Sequence, residues 1–361
     1  MASEPYILIC AGEDSGDCVG APLVKTLVSQ NFAVKGSGGR RMQAAGMLSL
    51  VDFETLPVSG FGDVLPKYFK LRQSFNVLKS ALESPECLGL IAVDYPGFNM
   101  KLVARAGELR KPALYVAPPQ VWAWKRKRAK VLAKNPYVKL AVFFDFEESV
   151  YREAGCNVVR VKHPFAEIKN AASLNENLRD AANQILLLPG SRKAQALRNL
   201  PVYLKAVQDA KNVVVVAARQ ELVNSFKRFD VPVIVAPQSA AERMALYQSA
   251  EYALTAPGTS TLELALSGAS FTVCTKPDLL TYCLGRLFIK TKFFALPNII
   301  LNRLVFSEYI VPPWSGVDVW SFTKGEKENV AKELSEKLAI GSSFDQLALE
   351  FLGQFVERKS Q

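Results

Sequence analysis

The chain has 361 residues, of which 49% are hydrophobic and 22% are charged, which indicates a globular protein and excludes a disordered one. Its 44 basic and 34 acidic residues give a net charge of +10, so we expect an anionic partner such as nucleic acid, a phosphorylated substrate or an acidic membrane surface. The single histidine excludes a multi-histidine metal centre, and six scattered cysteines without a C-x-x-C pair argue against a zinc or disulfide framework.

The order of the predicted elements indicates an α/β protein with two domains. Short apolar runs each lead to a turn and then to a helical pattern, which is typical of parallel sheets covered on both faces. The alternation stops at a polar segment and then begins again, and the chain is too long for one ordinary core. We predict two doubly wound domains facing across a cleft, with these parts: first domain 1–165, linker 166–184, second domain 185–340, and a C-terminal helix 341–361 that packs back on the first domain.

The first predicted strand, 6–11, is followed by the turn Gly12-Glu13-Asp14-Ser15-Gly16-Asp17. Ligands of doubly wound sheets bind outside the carboxyl ends of the strands, so this turn is a candidate site. Its glycines allow close approach, while its three acids would repel a bare phosphate and suit the hydroxyls of a sugar. An ordinary helix-capping turn is the alternative. The candidate sugar-loop residues are Glu13, Ser15, Gly16 and Asp17.

Residues 64–78 form a predicted amphipathic helix with basic residues alongside its apolar face. Such a helix can lie in a bilayer interface, and the same stripe is also typical of a helix packed on a core. The candidate membrane residues are Tyr68, Phe69, Leu71 and Phe75.

A carboxylate, Asp94, follows the predicted strand 88–93. At the end of a buried strand it can accept a proton from an attacking hydroxyl, or it can cap the next helix. Further on, APPQVWAWKRKRAKVLAK (117–134) places two tryptophans before a run of cations. Nucleic acid, a membrane and a basic helix beside a cleft all remain open for that segment.

Two turns of the second domain suit a nucleoside diphosphate. Gly190 and Ser191 supply a tight bend with free amides, and Arg192 can pair with a diphosphate through two parallel hydrogen bonds. The segment 257–263 contains Gly258 and hydroxyl residues at the start of a helix. It also contains Glu263, which can accept hydrogen bonds from the ribose hydroxyls. There is no G-x-x-x-x-G-K-[ST] loop for nucleotide hydrolysis. We therefore predict transfer of a sugar from a nucleotide.

Eight motifs in order resemble the lipid-A-disaccharide synthase family of GT-B glycosyltransferases. They are AGEDSGD (11–17), GSGGRRMQAAGM (36–47), VDYPGFNMKL (93–102), APPQVWAWKRKR (117–128), VKHPFAE (161–167), LLPGSRKAQ (187–195), APGTSTLE (256–263) and ALPNIIL (295–301). The resemblance covers residues 7 to about 312. It implies an inverting transfer from UDP-2,3-diacylglucosamine to 2,3-diacylglucosamine 1-phosphate (lipid X), without a metal ion or other cofactor.

The resemblance also assigns roles by position. It makes Asp94 the base or its orienting partner, and His163 either a hinge residue or a secondary base. It predicts Trp122 and Trp124 to pack their loop against the domain, and it places the sugar loop near the sugar. The implied nucleotide- and donor-binding residues are Gly190, Ser191, Arg192, Gly258, Thr259, Thr261, Glu263 and Asn298. Four positions depart from the family pattern, with consequences for activity left open: Gly97, Lys162, Gln195 and Pro257.

The expected location is cytoplasmic, because no secretory signal and no run of about 18 apolar residues occurs. Acylated substrates imply peripheral association with the cytoplasmic face of the inner membrane, and a homodimer is left open. Two alternatives remain: another UDP-sugar enzyme, including an epimerase, and a basic nucleic-acid-binding module. The second lacks any known RNA-binding motif, so we predict no nucleic-acid partner.

Overall fold

The computed structural model describes residues 4–56, 61–122, 126–168, 178, 181–288, 291–315 and 328–359. The chain divides into two compact units. Unit 1 comprises Met1–Pro164 together with Ile340–Gln361, and unit 2 comprises Phe165–Ala339. Every pair of neighbouring strands in both sheets is parallel across the described residues, which confirms the predicted fold class of two parallel α/β sheets.

Unit 1 alternates strands and helices. The elements are β1 (Tyr6–Cys10), α1 (Asp14–Ser29), β2 (Ala33–Ser37), α2 (Arg40–Ala44), β3 (Leu48–Ser49), α3 (Phe61–Glu83), β4 (Cys87–Val93), α4 (Pro96–Glu108), β5 (Ala113–Val116), α5 (Lys127–Ala133), β6 (Val138–Val142), α6 (Asp145–Glu153) and β7 (Val158–Arg160). The strand order is β3-β2-β1-β4-β5-β6-β7. The direction of winding therefore reverses between β1 and β4, where a doubly wound sheet binds its ligand.

Unit 2 repeats this plan. Its elements are β8 (Ile185–Leu188), α7 (Lys193–Ala206), β9 (Val213–Ala217), α8 (Gln220–Phe226), β10 (Val233–Val235), α9 (Ala240–Ser249), β11 (Tyr252–Thr255), α10 (Thr259–Leu266), β12 (Phe271–Thr275), α11 (Leu279–Phe288), α12 (Leu296–Leu301), β13 (Glu308–Ile310) and α13 (Glu328–Leu338). The strand order β10-β9-β8-β11-β12-β13 places the reversal between β8 and β11.

The last helix, α14 (Phe344–Lys359), lies against α1 of unit 1. The hydroxyl of Thr26 donates to the carboxylate of Asp345, and Lys139 forms an ion pair with Glu350. Residue Gly89 leaves room for this helix, because a Cβ atom there would lie 2.9 Å from the ring of Phe355. The C-terminal segment therefore completes the core of the first unit.

The central strands are covered on both faces, which explains their continuous apolar sequences. Every residue of β1 is buried, and so are the last five residues of β4. Helix α3 contributes Leu78 and Leu82, both fully buried, to the same core. Its amphipathic stripe is thus largely a core-packing face.

The candidate membrane residues of α3 differ in their surroundings. Leu71 and Phe75 pack against the core, where the ring of Phe75 meets Phe98 edge-on at 5.2 Å between centroids. Phe69 is 77% exposed. Tyr68 belongs to α3, but its side chain lies outside the described residues. Within the described part of the chain, every helix is too short or too polar to cross a bilayer.

Candidate active site

In unit 1 the turns after β1 and β4 contact each other directly. A Cβ atom on Gly12 would lie 2.4 Å from the ring of Tyr95, so only glycine fits at that position. The hydroxyl of Tyr95 donates to the carbonyl of Leu56 at 2.7 Å. Burial raises the pKa of Tyr95 to about 12, and the charge of Glu13 contributes to this shift. The predicted sugar loop and the Asp94 turn therefore lie side by side.

Asp94 occupies a constrained backbone position at the end of β4. Both Asp94 and Tyr95 have left-handed conformations, with φ of 48° and 51°, and non-glycine residues adopt this region rarely. The amide of Asp94 donates to the carbonyl of Val116 at 2.9 Å. Tyr95, rather than Asp94, occupies the N-cap position of α4. The half-buried Asp94 is therefore held at the strand end without serving as the N-cap residue.

The sugar loop divides into residues that shape it and residues that are accessible. The buried carboxylate of Asp17 accepts hydrogen bonds from the amides of Arg41 at 3.1 Å and Met42 at 3.0 Å. Gly16 is buried, and a Cβ atom there would lie 3.1 Å from that of Ala11. By contrast, Ser15 is exposed. Asp17 thus fixes the start of α2 relative to the loop, while its predicted contact with a sugar stays a prediction.

In unit 2 the turn after β8 is tied down by two residues that the sequence did not single out. Asn199 is fully buried; its amide group donates to the carbonyl of Pro189 at 2.9 Å, and its oxygen accepts from the amide of Lys276 at 2.7 Å. The guanidinium of Arg219 donates to the carbonyl of Ser191 at 3.1 Å. Ser191 and Arg192 are exposed at the start of α7.

The turn after β11 lies next to the turn after β8, because the two strands are neighbours. A Cβ atom on Gly190 would lie 3.4 Å from that of Ala256. Gly258, with φ of 152°, is the N-cap residue of α10, and Thr259 is exposed in the first turn. The hydroxyl of Thr261 is used internally, since it donates to the carbonyl of Gly258 at 2.8 Å. Two turns suited to phosphate therefore lie together.

Glu263 on α10 forms a buried ion pair with Arg243 on α9. The Nε atom of Arg243 lies 3.1 Å from each carboxylate oxygen, and its Nη2 lies 2.5 Å from Oε1. The Nη1 atom donates to the carbonyls of Pro237 and Gln238, each at 2.9 Å. Arg243 thus fixes the orientation of Glu263. The sequence carried no signal for this arginine.

The side chain of Asn298 is used to shape a loop. Its oxygen accepts from the amides of Val305 at 2.9 Å and Phe306 at 3.0 Å. Its nitrogen donates to the carbonyl of Phe306 at 2.7 Å and to the carboxylate of Glu308 at 3.2 Å. The side chain is fully buried. Its predicted place near the donor stays a prediction.

His163 lies among aromatic rings. Its ring is 4.9 Å from that of Phe143 and stacks on Phe144 at 5.9 Å between centroids. Burial lowers the pKa of His163 to about 3, so the imidazole is neutral at physiological pH and a weak base. Its predicted role, either as a hinge residue or as a secondary base, stays a prediction. Nearby, Trp122 packs edge-on against Phe146 at 5.0 Å, as predicted, whereas Trp124 lies outside the described residues.

No cluster of three or more His, Cys, Asp or Glu side chains placed to hold a metal ion occurs among the described residues. The turns of unit 1 contain a carboxylate beside a small-residue loop, and a carboxylate can accept a proton from a hydroxyl. The turns of unit 2 contain backbone amides, an arginine and a fixed carboxylate, and amides with an arginine can bind a diphosphate.

Comparisons with known proteins agree with this arrangement. A family model described as Lipid-A-disaccharide synthetase matches residues 7–315. Lipid-A-disaccharide synthase 1 of Legionella pneumophila (strain Philadelphia 1) is 31% identical over 360 residues, covering 94% of this chain and 93% of that protein.

Solved structures with low sequence identity share the fold. MurG of Acinetobacter baumannii matches with a TM-score of 0.51 at 14% identity, over 97% of this chain and 99% of that one. Sucrose-phosphate synthase of Thermosynechococcus elongatus matches with a TM-score of 0.51 at 11% identity, over 99% of both chains. The two parallel sheets thus have the GT-B architecture.

Proposed function

The chain belongs to the lipid-A-disaccharide synthetase family, a family of glycosyltransferases in lipid A biosynthesis, and from this premise we propose how its residues perform the transfer. The family implies UDP-2,3-diacylglucosamine as donor and lipid X as acceptor. The products are the β(1→6)-linked disaccharide 1-phosphate and UDP. A β-linked product from an α-linked donor requires inversion, so the acceptor's 6-hydroxyl attacks the anomeric carbon opposite the departing UDP.

Unit 2 binds the donor in this proposal. The carrying observation is that the turns after β8 and β11 lie together at the reversal point of the sheet. Arg192 and the backbone amides at the start of α10 bind the diphosphate, and the same groups stabilise the negative charge of UDP as it leaves. Glu263, oriented by Arg243, accepts hydrogen bonds from the hydroxyls of the ribose.

Unit 1 binds the acceptor and supplies the base. Asp94 directly follows the central strand β4 and lies next to the loop that carries Glu13 and Ser15. We assign to Asp94 the removal of the proton from the attacking 6-hydroxyl, while the loop binds sugar hydroxyls. The bond from the anomeric carbon to the UDP oxygen breaks as the new glycosidic bond forms.

One incubation tests the activity. Purified protein is mixed with UDP-2,3-diacylglucosamine, with and without lipid X, and the products are weighed by mass spectrometry. We expect the disaccharide 1-phosphate and UDP only when the acceptor is present. Epimerisation or UDP release that needs no acceptor would contradict the proposal and favour a different UDP-sugar enzyme.

We also propose peripheral association with the cytoplasmic face of the inner membrane. Support comes from the 77% exposed ring of Phe69, which is followed along α3 by the exposed cations Lys70 and Arg72. Flotation with anionic vesicles tests this: Phe69→Glu should reduce binding. The control Leu349→Glu changes an exposed apolar residue on α14 and should float like the unchanged protein. If Phe69→Glu floats as well as the unchanged protein, the proposed membrane contact is wrong.

A further inference from the structure

Asn99, in the first turn of α4, connects the ends of two central strands. Its side-chain nitrogen lies 3.0 Å from the carbonyl oxygen of Cys10, at the end of β1. The same nitrogen lies 3.1 Å from the carbonyl of Val93 and 2.8 Å from that of Asp94. The residue is fully buried. One amide group therefore holds the backbone at the reversal point of the sheet.

The third of these carbonyls belongs to Asp94 itself. The hydroxyl of Tyr115 donates to the same carbonyl at 3.1 Å, and burial raises the pKa of Tyr115, which keeps this hydroxyl protonated as a donor. Two buried side chains thus hold the peptide from which the Asp94 side chain projects. A residue without amide hydrogens at position 99 would leave these carbonyls with fewer donors.

The arrangement carries two costs at one place. Consecutive left-handed residues, Asp94 and Tyr95, are unfavourable conformations that persist only when neighbouring groups enforce them. The Oδ1 atom of Asn99 is buried and has no hydrogen-bond partner among the described residues. Strained backbone and an unsatisfied buried oxygen beside a candidate base are typical of a functional position rather than of ordinary core packing.

We propose that Asn99 is the positioning residue for the Asp94 carboxylate. Its amide group sets the left-handed turn and fixes the distance between that turn and the end of β1, where the sugar loop begins. This inference rests on the proposed role of Asp94 as the base. Asn99 itself does not touch the substrate; it acts through the backbone of Asp94.

A variant series separates positioning from stability. Asn99→Ala and Asn99→Ser remove the paired donors, and Asn135→Ala is the matched control. Asn135 also bonds to backbone groups: it donates to the carbonyl of Val103 at 3.0 Å and accepts from the amide of Tyr137 at 3.0 Å. Because it precedes β6, it lies at the amino ends of the parallel strands, away from the Asp94 turn at their carboxyl ends. We expect all three to lower the melting temperature. Only the Asn99 variants should lower kcat, by roughly 100-fold, with the donor KM changed less than about twofold.

A double variant tests whether Asn99 acts through Asp94. In an Asp94→Asn background, Asn99→Ala should lower kcat by less than about threefold, because residues acting as one unit are not additive. Independent, multiplying effects would overturn the proposal, as would wild-type kcat in folded Asn99→Ala. If neither Asn99 variant folds, its role is structural and the proposal is wrong. Failure of the proposed function looks different, since the unchanged protein would then form no disaccharide.

Discussion

The guanidinium of Arg243 contacts both carboxylate oxygens of Glu263, which is only 6% exposed. Removing one member of a buried pair leaves an uncompensated charge. We expect Arg243→Met to destabilise the protein by about 3 kcal/mol in urea unfolding and to weaken UDP binding, because Glu263 loses its orientation.

The double variant Arg243→Met/Glu263→Leu separates these two effects. It should recover most of the stability while UDP binding, measured by calorimetry, stays weak. Recovery of both would show that Glu263 serves only the fold.

Asp94→Asn keeps the shape of the side chain but removes its basicity. If Asp94 takes the proton from the acceptor, kcat should fall by about 10²- to 10⁴-fold, while the affinity for UDP-sugar is retained. Asp209→Asn, an exposed change just after α7, makes the same change of charge and should leave kcat unchanged. A near-normal rate for Asp94→Asn would remove this residue from the mechanism.

Arg192→Ala tests the diphosphate site. Loss of a charge-assisted contact should raise the donor KM by about 10-fold or more, with a smaller change in kcat. The matched control is Arg228→Ala. Arg228 precedes β10, at the amino ends of the parallel strands, and its guanidinium lies over the neighbouring ring of Phe229. Unaltered donor affinity in Arg192→Ala would show that the diphosphate binds elsewhere.

Glu147 on α6 makes stability depend on pH. Burial raises its pKa from an ordinary 4.5 to about 7, although the amide of Phe143 donates to it at 3.2 Å. Between these values the folded state holds a proton that the unfolded state has released, so stability falls as pH rises from about 4.5 to 7. Glu147→Gln removes this dependence. Relative to the unchanged protein, the variant should gain about 3 kcal/mol of unfolding free energy over that interval. If the unfolding free energies of the two proteins change in parallel with pH, Glu147 is not the source of the pH dependence.

His163 offers a direct spectroscopic test, because the chain contains one histidine. Burial lowers its pKa to about 3, so its imidazole proton resonance should not shift between pH 5 and pH 8. A titration with a midpoint near 6.5 would show a solvated ring and would support the secondary base role.

The strand-and-turn plan could be predicted from sequence because buried parallel strands are continuous apolar runs. The turns after β1, β4, β8 and β11, which lie at the two reversal points, were located in the sequence in this way. The partners of those turns could not be predicted. Asn99 reaches Cys10 and Asn199 reaches Lys276 across long stretches of chain, and a lone asparagine within a helical pattern carries no signal of its partner.

Polar residues inside motifs were harder to assign than the motifs themselves. Sequence alone cannot distinguish a side chain that faces a ligand from one that bonds backbone, and Asp17 and Asn298 do the latter here. The stripe on α3 is ambiguous for the same reason. Periodicity gives the apolar face of a helix, but only packing shows that Phe75 meets the core while Phe69 meets solvent.

Unit 1 is discontinuous in sequence, since α14 closes over α1 only after the chain has passed through unit 2. During synthesis on the ribosome, part of the apolar surface of unit 1 therefore stays uncovered until unit 2 and α14 have been translated. Unit 1 is thus begun first and completed last, and its uncovered apolar surface makes the nascent form prone to bind chaperones and to aggregate.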